Sequence, residues 1–304
     1  MSYAKLLEEW NDLLTRRPTF REPLAPYRLV LEAWAEWPAE RLAPLSWTAS
    51  ECEERWRRGV PLLSDVLVPI LPENVEPLLA AALEFLAAIG EPEEVLRRFA
   101  RAWDQGEVGP AAFFPSRGRV GLASLPTDFG LRAESTSFLA CGALRPALDR
   151  YFAGCRIHLT ERSWDLAVCP YCGAPPGFGD LTDAGQRRLA CHVCGGGWVF
   201  PRLRCPFCGT QSSKDLVRLE AVEKEEGYFI SACRQCKAYV KELDRRIRWN
   251  AGSALIEDWG SPHFDVVAIR EGHVPDFVRS RDFRLHRRDR AVARLPGPAG
   301  GVAP

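Results

Sequence analysis

Along the first 155 or so residues, apolar positions recur every three to four residues, the period of helices buried along one face. In Tyr3 to Arg16 the stripe is Leu6, Leu7, Trp10, Leu13 and Leu14, with Ser2 placed as an N-cap and Pro18 ending the run. A second helix is expected over Leu24 to Trp37, with Tyr27, Val30, Leu31 and Trp34 on one face. A third follows Thr48 or Ser50 as cap and runs through Trp56 to Gly59. Asn74 to Ile89 is apolar almost all round and stops at Gly90, which places it at the centre of a helical domain. Glu91 to Trp103 restarts the helical period, with Pro92 suited to a first turn. Glycine and proline between Gly106 and Pro126 read as a surface loop, and Asp128 to Phe152 gives the last long helix. Trp34, Trp37, Trp47 and Trp56 fall on this periodicity and are read as core.

From Cys169 to Cys236 the period changes to short runs separated by four Cys-x-x-Cys pairs, CPYCG, CHVCG, CPFCG and CRQCK. Two cysteines three positions apart on a tight turn aim both sulfurs at one point, and two such turns supply the four thiolates of a tetrahedral metal site. Glycine follows the second cysteine in three pairs (Gly173, Gly195, Gly209), where the chain must double back; Lys237 takes that place in the fourth. The region reads as one unit written twice, in the order knuckle, hairpin, knuckle, strand, which is the grammar of a rubredoxin-like or zinc-ribbon module. In the first unit a broken run from Ala174 to Leu181 precedes strands at Arg187 to Ala190 and Trp198 to Arg204. The second has strands at Asp215 to Val222, Tyr228 to Ala232 and Ala238 to Leu243. Adjacent pairing therefore groups Cys169, Cys172, Cys191 and Cys194 at one site and Cys205, Cys208, Cys233 and Cys236 at the other; a cross-braced arrangement, first pair with third, stays open.

Disulfides are disfavoured, because the segment MSYAKLLEEW carries acids and has no apolar signal core, so nothing points to an oxidising compartment. The expected location is cytoplasmic. A thioredoxin-like redox reading of each pair would need a βαβ context that is missing. Four thiolates close a coordination sphere, so zinc here would be structural and iron redox-active. His192, inside the second knuckle, and the lone cysteines Cys52, Cys141 and Cys155 are read as structural.

Composition narrows the picture less. The 304 residues suit about two domains, and 40 acidic residues balance 40 basic ones, which gives no general pull toward nucleic acid. No apolar run is long enough to span a bilayer. Arg187, Arg188, Arg245, Arg246 and Arg248 raise a phosphate-binding ribbon, but Glu223, Glu225, Glu226, Glu242 and Asp244 are interleaved with them, and solvated faces are the expectation. Beyond Trp249 the chain is helical again through Leu255, Ile256 and Trp259 and from Phe264 to Ile269, with a break at Pro262. Val278 to Pro304 holds seven arginines and is read as a disordered tail. The fold expected is α+β: an all-α domain (1–160), two tandem rubredoxin-like modules (161–204 and 205–248), a C-terminal helical segment (249–277) and the tail (278–304).

The segments CPYCGAPP, LACHVCGGGWVFPRLRCPFCGT and SACRQCKAYVKELD, in that order behind a helical half, resemble the formate dehydrogenase accessory protein family (FdhE). The resemblance runs from the first helix to about Phe277 and is most specific between Val168 and Asp244. It maps the family's eight cysteines onto the eight named above, and Lys237 stands where glycine is common in the family; EGHVPDF resembles a degenerate form of the family's C-terminal region. The resemblance implies a cytoplasmic biogenesis factor that acts transiently on the catalytic subunit of a formate dehydrogenase, often one exported folded, and binds two metal ions, iron or zinc. No nucleophile, acid/base pair or open metal position marks the chain as an enzyme, so no catalytic residue is assigned. The alternatives are a nucleic-acid-binding zinc ribbon and a rubredoxin-like electron-transfer protein.

Overall fold

The computed structural model describes residues 2–39, 42–65, 70–113, 129–161, 163–220 and 225–275. The tail expected at 278–304, most of the 106–126 loop and the 223–224 part of the charged turn lie outside the described residues.

Among the described residues, six α-helices lie in the N-terminal half: α1 (Tyr3–Arg16), α2 (Tyr27–Glu36), α3 (Ala49–Arg57), α4 (Pro72–Ala88), α5 (Glu93–Asp104) and α6 (Ala133–Phe152). Local chemistry sets their ends. Thr48 caps α3 through a reciprocal box, its hydroxyl oxygen accepting from the Glu51 N–H while the Glu51 carboxylate accepts from the Thr48 N–H at 2.8 Å. Gly90, at φ 87°, turns the chain out of α4. Helices α4 and α6 approach closely at Gly142, where an added Cβ would sit 2.8 Å from that of Ala82. Trp34 and Trp56 are buried in this core and Trp37 is 8% exposed, whereas Trp47 is half-buried under the Arg55 guanidinium.

Among the described residues, seven strands follow: β1 (Phe178–Leu181), β2 (Arg187–Ala190), β3 (Gly197–Val199), β4 (Leu216–Leu219), β5 (Tyr228–Cys233), β6 (Ala238–Asp244) and β7 (Val274–Pro275). Helices α7 (Ala254–Trp259) and α8 (Pro262–Arg270) separate β6 from β7. The strand after the second knuckle is shorter than the expected Trp198 to Arg204, because Pro201 has no N–H for a ladder and the chain turns directly into the third knuckle.

The two expected modules share one sheet. Its order is β3-β2-β1-β6-β5-β4, and the modules join where β1 runs parallel to β6, Phe178 opposite Lys241 and Leu181 opposite Asp244. Strand β7 pairs parallel with the other end of β6, at Ala238 and Tyr239. Strand β6 is thus central, and all seven of its residues are buried. Three of them, Lys241, Glu242 and Asp244, are charged, and burial of that kind is tolerated only with partners. Glu242 meets Arg187 of β2, itself buried. Arg246 grips Asp244 at 2.6 Å and Arg245 grips Asp180 at 2.8 Å. These arginines were expected on solvated faces; Arg187 is instead interior, because β1–β6 pairing brings β2 and its long side chain over the buried Glu242.

The main hydrophobic core is continuous across residue 160. It runs from Leu6 and Trp10 of α1 through α4 and α6 to Cys169, Cys172, Cys191, Cys194 and Trp198. A second, smaller core gathers Phe178, Tyr228, Ile230, Leu243, Phe264 and Ala268 under the second module and α8. Among the described residues, no helix is long and apolar enough to cross a membrane.

Candidate metal centres

All four knuckles are the same turn. The N–H of the residue after the second cysteine donates to the carbonyl of the first: Gly173 to Cys169 at 3.0 Å, Gly195 to Cys191 at 3.0 Å, Gly209 to Cys205 at 3.0 Å and Lys237 to Cys233 at 2.8 Å. Each donor lies in the left-handed region, at φ 77°, 72°, 74° and 62°. Glycine reaches it without steric penalty, whereas Lys237, with its Cβ, does so at roughly 1–2 kcal/mol. Among the described residues Lys237 is the only non-glycine with positive φ, so the knuckle that looks irregular in sequence keeps the shape and carries the strain.

These turns bring the eight cysteines into the two groups expected from adjacent pairing, Cys169, Cys172, Cys191, Cys194 and Cys205, Cys208, Cys233, Cys236, the ligand atoms of each within 4.8 Å of one another. Cross-bracing does not occur. The sulfurs stand at 3.4 Å (Cys169 to Cys194), 3.5 Å (Cys172 to Cys191), 3.7 Å (Cys205 to Cys236) and 3.6 Å (Cys208 to Cys233). A tetrahedral ion with bonds of about 2.3 Å holds its sulfurs about 3.8 Å apart, whereas a disulfide needs about 2.05 Å. Both groups therefore fit a four-thiolate ion, and all eight thiols are free of disulfides. In each group one sulfur gathers hydrogen bonds that favour the thiolate. Burial pushes Cys194 up, but its sulfur neighbours and Arg156 together pull it well below the ordinary thiol value. The Cys236 thiol, donating to Cys205, holds Cys205 down to about 5.

The surroundings of the first group come from the helical half. Trp56 Nε1 donates to the Pro170 carbonyl at 3.1 Å, and the Leu62 and Leu63 amides donate to Pro170 and Tyr171 at 3.0 and 2.8 Å. Arg145 of α6 donates to the carbonyl of His192 at 2.8 Å and Arg156 to that of Cys194 at 2.5 Å. Two guanidiniums thus lie where four thiolates would outweigh a bound divalent ion, a placement that would lower the electrostatic cost of burying it. Sequence reasoning missed both, although Arg145 is a lone charge in the apolar run CGALRPAL, which was the available signal.

His192 binds outside the cluster. Its Nε2 lies 2.9 Å from Asp258 Oδ2, Asp258 Oδ1 lies 2.9 Å from Lys241 Nζ, and Lys241 reaches Asp265 at 2.7 Å. This network ties the second knuckle to β6, α7 and α8. It edges a cleft of about 420 Å³ between the two halves, walled by Tyr27, Phe138, Trp259 and Ile269. The lone cysteines behave as buried apolar groups: burial pushes Cys52 and Cys141 up to about 12, far from a reactive thiolate.

No protein-family model matches the chain. The "Protein FdhE homolog" of Stutzerimonas stutzeri is 31% identical over 119 residues, 38% of this chain and 38% of the relative. That of Aquifex aeolicus is 28% identical over 162 residues, 51% of this chain and 55% of the relative. That of Pseudomonas aeruginosa extends the match to 273 residues at 25% identity, 87% of this chain and 77% of the relative. The chain is similar to FdhE proteins along most of its length. Its fold is also that of the crystal structure of the FdhE protein from Pseudomonas aeruginosa, with a TM-score of 0.56 at 22% identity over 91% of this chain and 95% of that one. The match to the first two FdhE relatives spans about half of their length or less, 38% and 55%.

Proposed function

We propose that this chain is an accessory protein in the biogenesis of a formate dehydrogenase, and that it binds the enzyme's catalytic subunit transiently in the cytoplasm before export or final assembly. The observation that carries the reading is similarity to FdhE proteins over most of the chain, together with two four-cysteine groups set behind a helical half. All eight cysteines serve as ligands, four to each of two iron or zinc ions. Zinc would supply a rigid, closed centre, and iron in the same ligands would supply one-electron chemistry. With every coordination position taken by protein sulfur, the chain acts by binding rather than by catalysis.

The cleft between the halves supports a place for the client. Binding sites favour domain junctions with apolar walls and a few fixed polar groups, and here an aromatic wall faces the His192, Asp258 and Lys241 network. Ile269, 55% exposed at the rim, offers apolar surface that a partner would cover. The test is capture of the catalytic subunit by the metal-loaded protein, compared with Ile269→Asp. Loss of capture in the variant at unchanged metal content and melting temperature supports the cleft. Full formate dehydrogenase activity in a strain lacking this protein and any related accessory protein would overturn the function.

A further inference from the structure

The two cysteine groups share a turn geometry but not a setting. All four sulfur-bearing residues of the first are 0–3% exposed and belong to the main core. In the second, Cys205 and Cys233 are buried, but Cys208 and Cys236 are only half-buried, and none of the four joins the small core beneath them. The difference extends to the knuckles. Those of the first group are pinned by Trp56, Leu62, Leu63, Arg145 and Arg156 from the helical half. In the second, Arg234, Gln235 and Lys237 are exposed, and the turn at Lys237 is strained. A groove of about 220 Å³, lined by Leu203, Leu216 and Phe229, also opens beside Cys205 and Cys233.

A closed four-thiolate centre exchanges its ion only when a ligand swings away, so the rate follows the free energy of local opening and the access of an incoming donor. Opening the first centre breaks the shared core and the guanidinium contacts; opening the second at Cys208 or Cys236 frees a half-buried sulfur on a turn near solvent. We propose that the second centre is the exchangeable one, giving up or receiving a soft metal ion by ligand exchange with a thiol donor that reaches Cys208 and Cys236 from solvent, while the first is retained as part of the core. In that exchange the Cys208 sulfur leaves the ion and takes up a proton as the incoming thiolate replaces it. No electron moves. The proposal rests on the reading that the eight cysteines bind metal, and elemental analysis of the purified protein checks that reading first, since finding no ion would remove both.

With two zinc ions bound, the native full chain is treated with N-ethylmaleimide while zinc release is followed with a chromogenic chelator and each cysteine's labelling by peptide mass spectrometry. Release is expected in two phases, the first at least about tenfold faster than the second. Cys208 and Cys236 should be labelled in the first phase, with the helical circular dichroism intact. A single phase with both groups labelled together, or earlier labelling of Cys169 to Cys194, overturns the proposal. Cys236→Ser adds an independent arm: it should keep one ion and the native helical signal, and loss of both ions from a protein that remains helical would contradict the assignment.

Discussion

Replacing Lys241 with Met removes the one ammonium that sits between Asp258 and Asp265 and leaves the stem volume nearly unchanged. The lysine is 7% exposed on the central strand, and Asp258, its side chain 15% exposed, has His192 as its other partner. Breaking a buried ion pair by deleting one member costs about 3–5 kcal/mol, because the surviving charge is left without compensation. Asp265 is 35% exposed and can recover hydration, so the loss falls chiefly on Asp258 and the lower end of the range, about 3 kcal/mol, is expected. The pH dependence follows from the same groups. Burial raises Asp258, but Lys241 and His192 outweigh it and hold the carboxyl below its ordinary value. A carboxyl lowered on folding contributes stability above its unfolded value, near pH 4, and that contribution is lost as the pH falls through the lower folded value. Without Lys241 the burial effect is left with less to oppose it, so the carboxyl moves up and the variant regains stability by protonation as the pH falls from 7 toward 5. The gap between native and variant protein should therefore narrow on acidification. Denaturant unfolding of the metal-saturated proteins at pH 7 and pH 5 measures it. A loss under about 1 kcal/mol at pH 7 would mean that the network is screened like a surface pair, and a gap that did not narrow would remove Asp258 as its source.

Lys237→Gly relieves the strained fourth knuckle and should stabilise the second module by up to about 1 kcal/mol, the left-handed penalty less the entropy of glycine, read as slower zinc release from that centre. Gly142→Val presses a side chain into Ala82 where α4 and α6 pack, and should lower the melting temperature through overpacking of about 1–3 kcal/mol. Thr48→Ala removes the box at the start of α3 and should cost about 1 kcal/mol by thermal unfolding, with metal content unchanged. Elemental analysis after anaerobic purification should find two ions per chain, and the visible spectrum distinguishes iron from zinc.

Much of this architecture was legible in the chain because it is written locally. The helical stripes of α1 to α6, a cap at Thr48 or Ser50, the glycine turns and the adjacent grouping of the cysteines all depend on residues a few positions apart or on a repeated unit, and periodicity and spacing report such interactions directly. What spacing could not report was the environment that each unit meets. Only the tertiary structure joins the two modules through parallel β1–β6 pairing, buries Arg187 against Glu242, and sets His192, Lys241, Asp258 and Asp265 in one network, since partners from 17 to 66 residues apart leave no periodic trace. The same holds for the unequal settings of the two centres. Four Cys-x-x-Cys turns look alike as sequence, yet one pair is packed into the helical core beneath Arg145 and Arg156 and the other stands at the sheet's far side, because burial is a property of the folded neighbourhood and a thiolate's reactivity follows that burial.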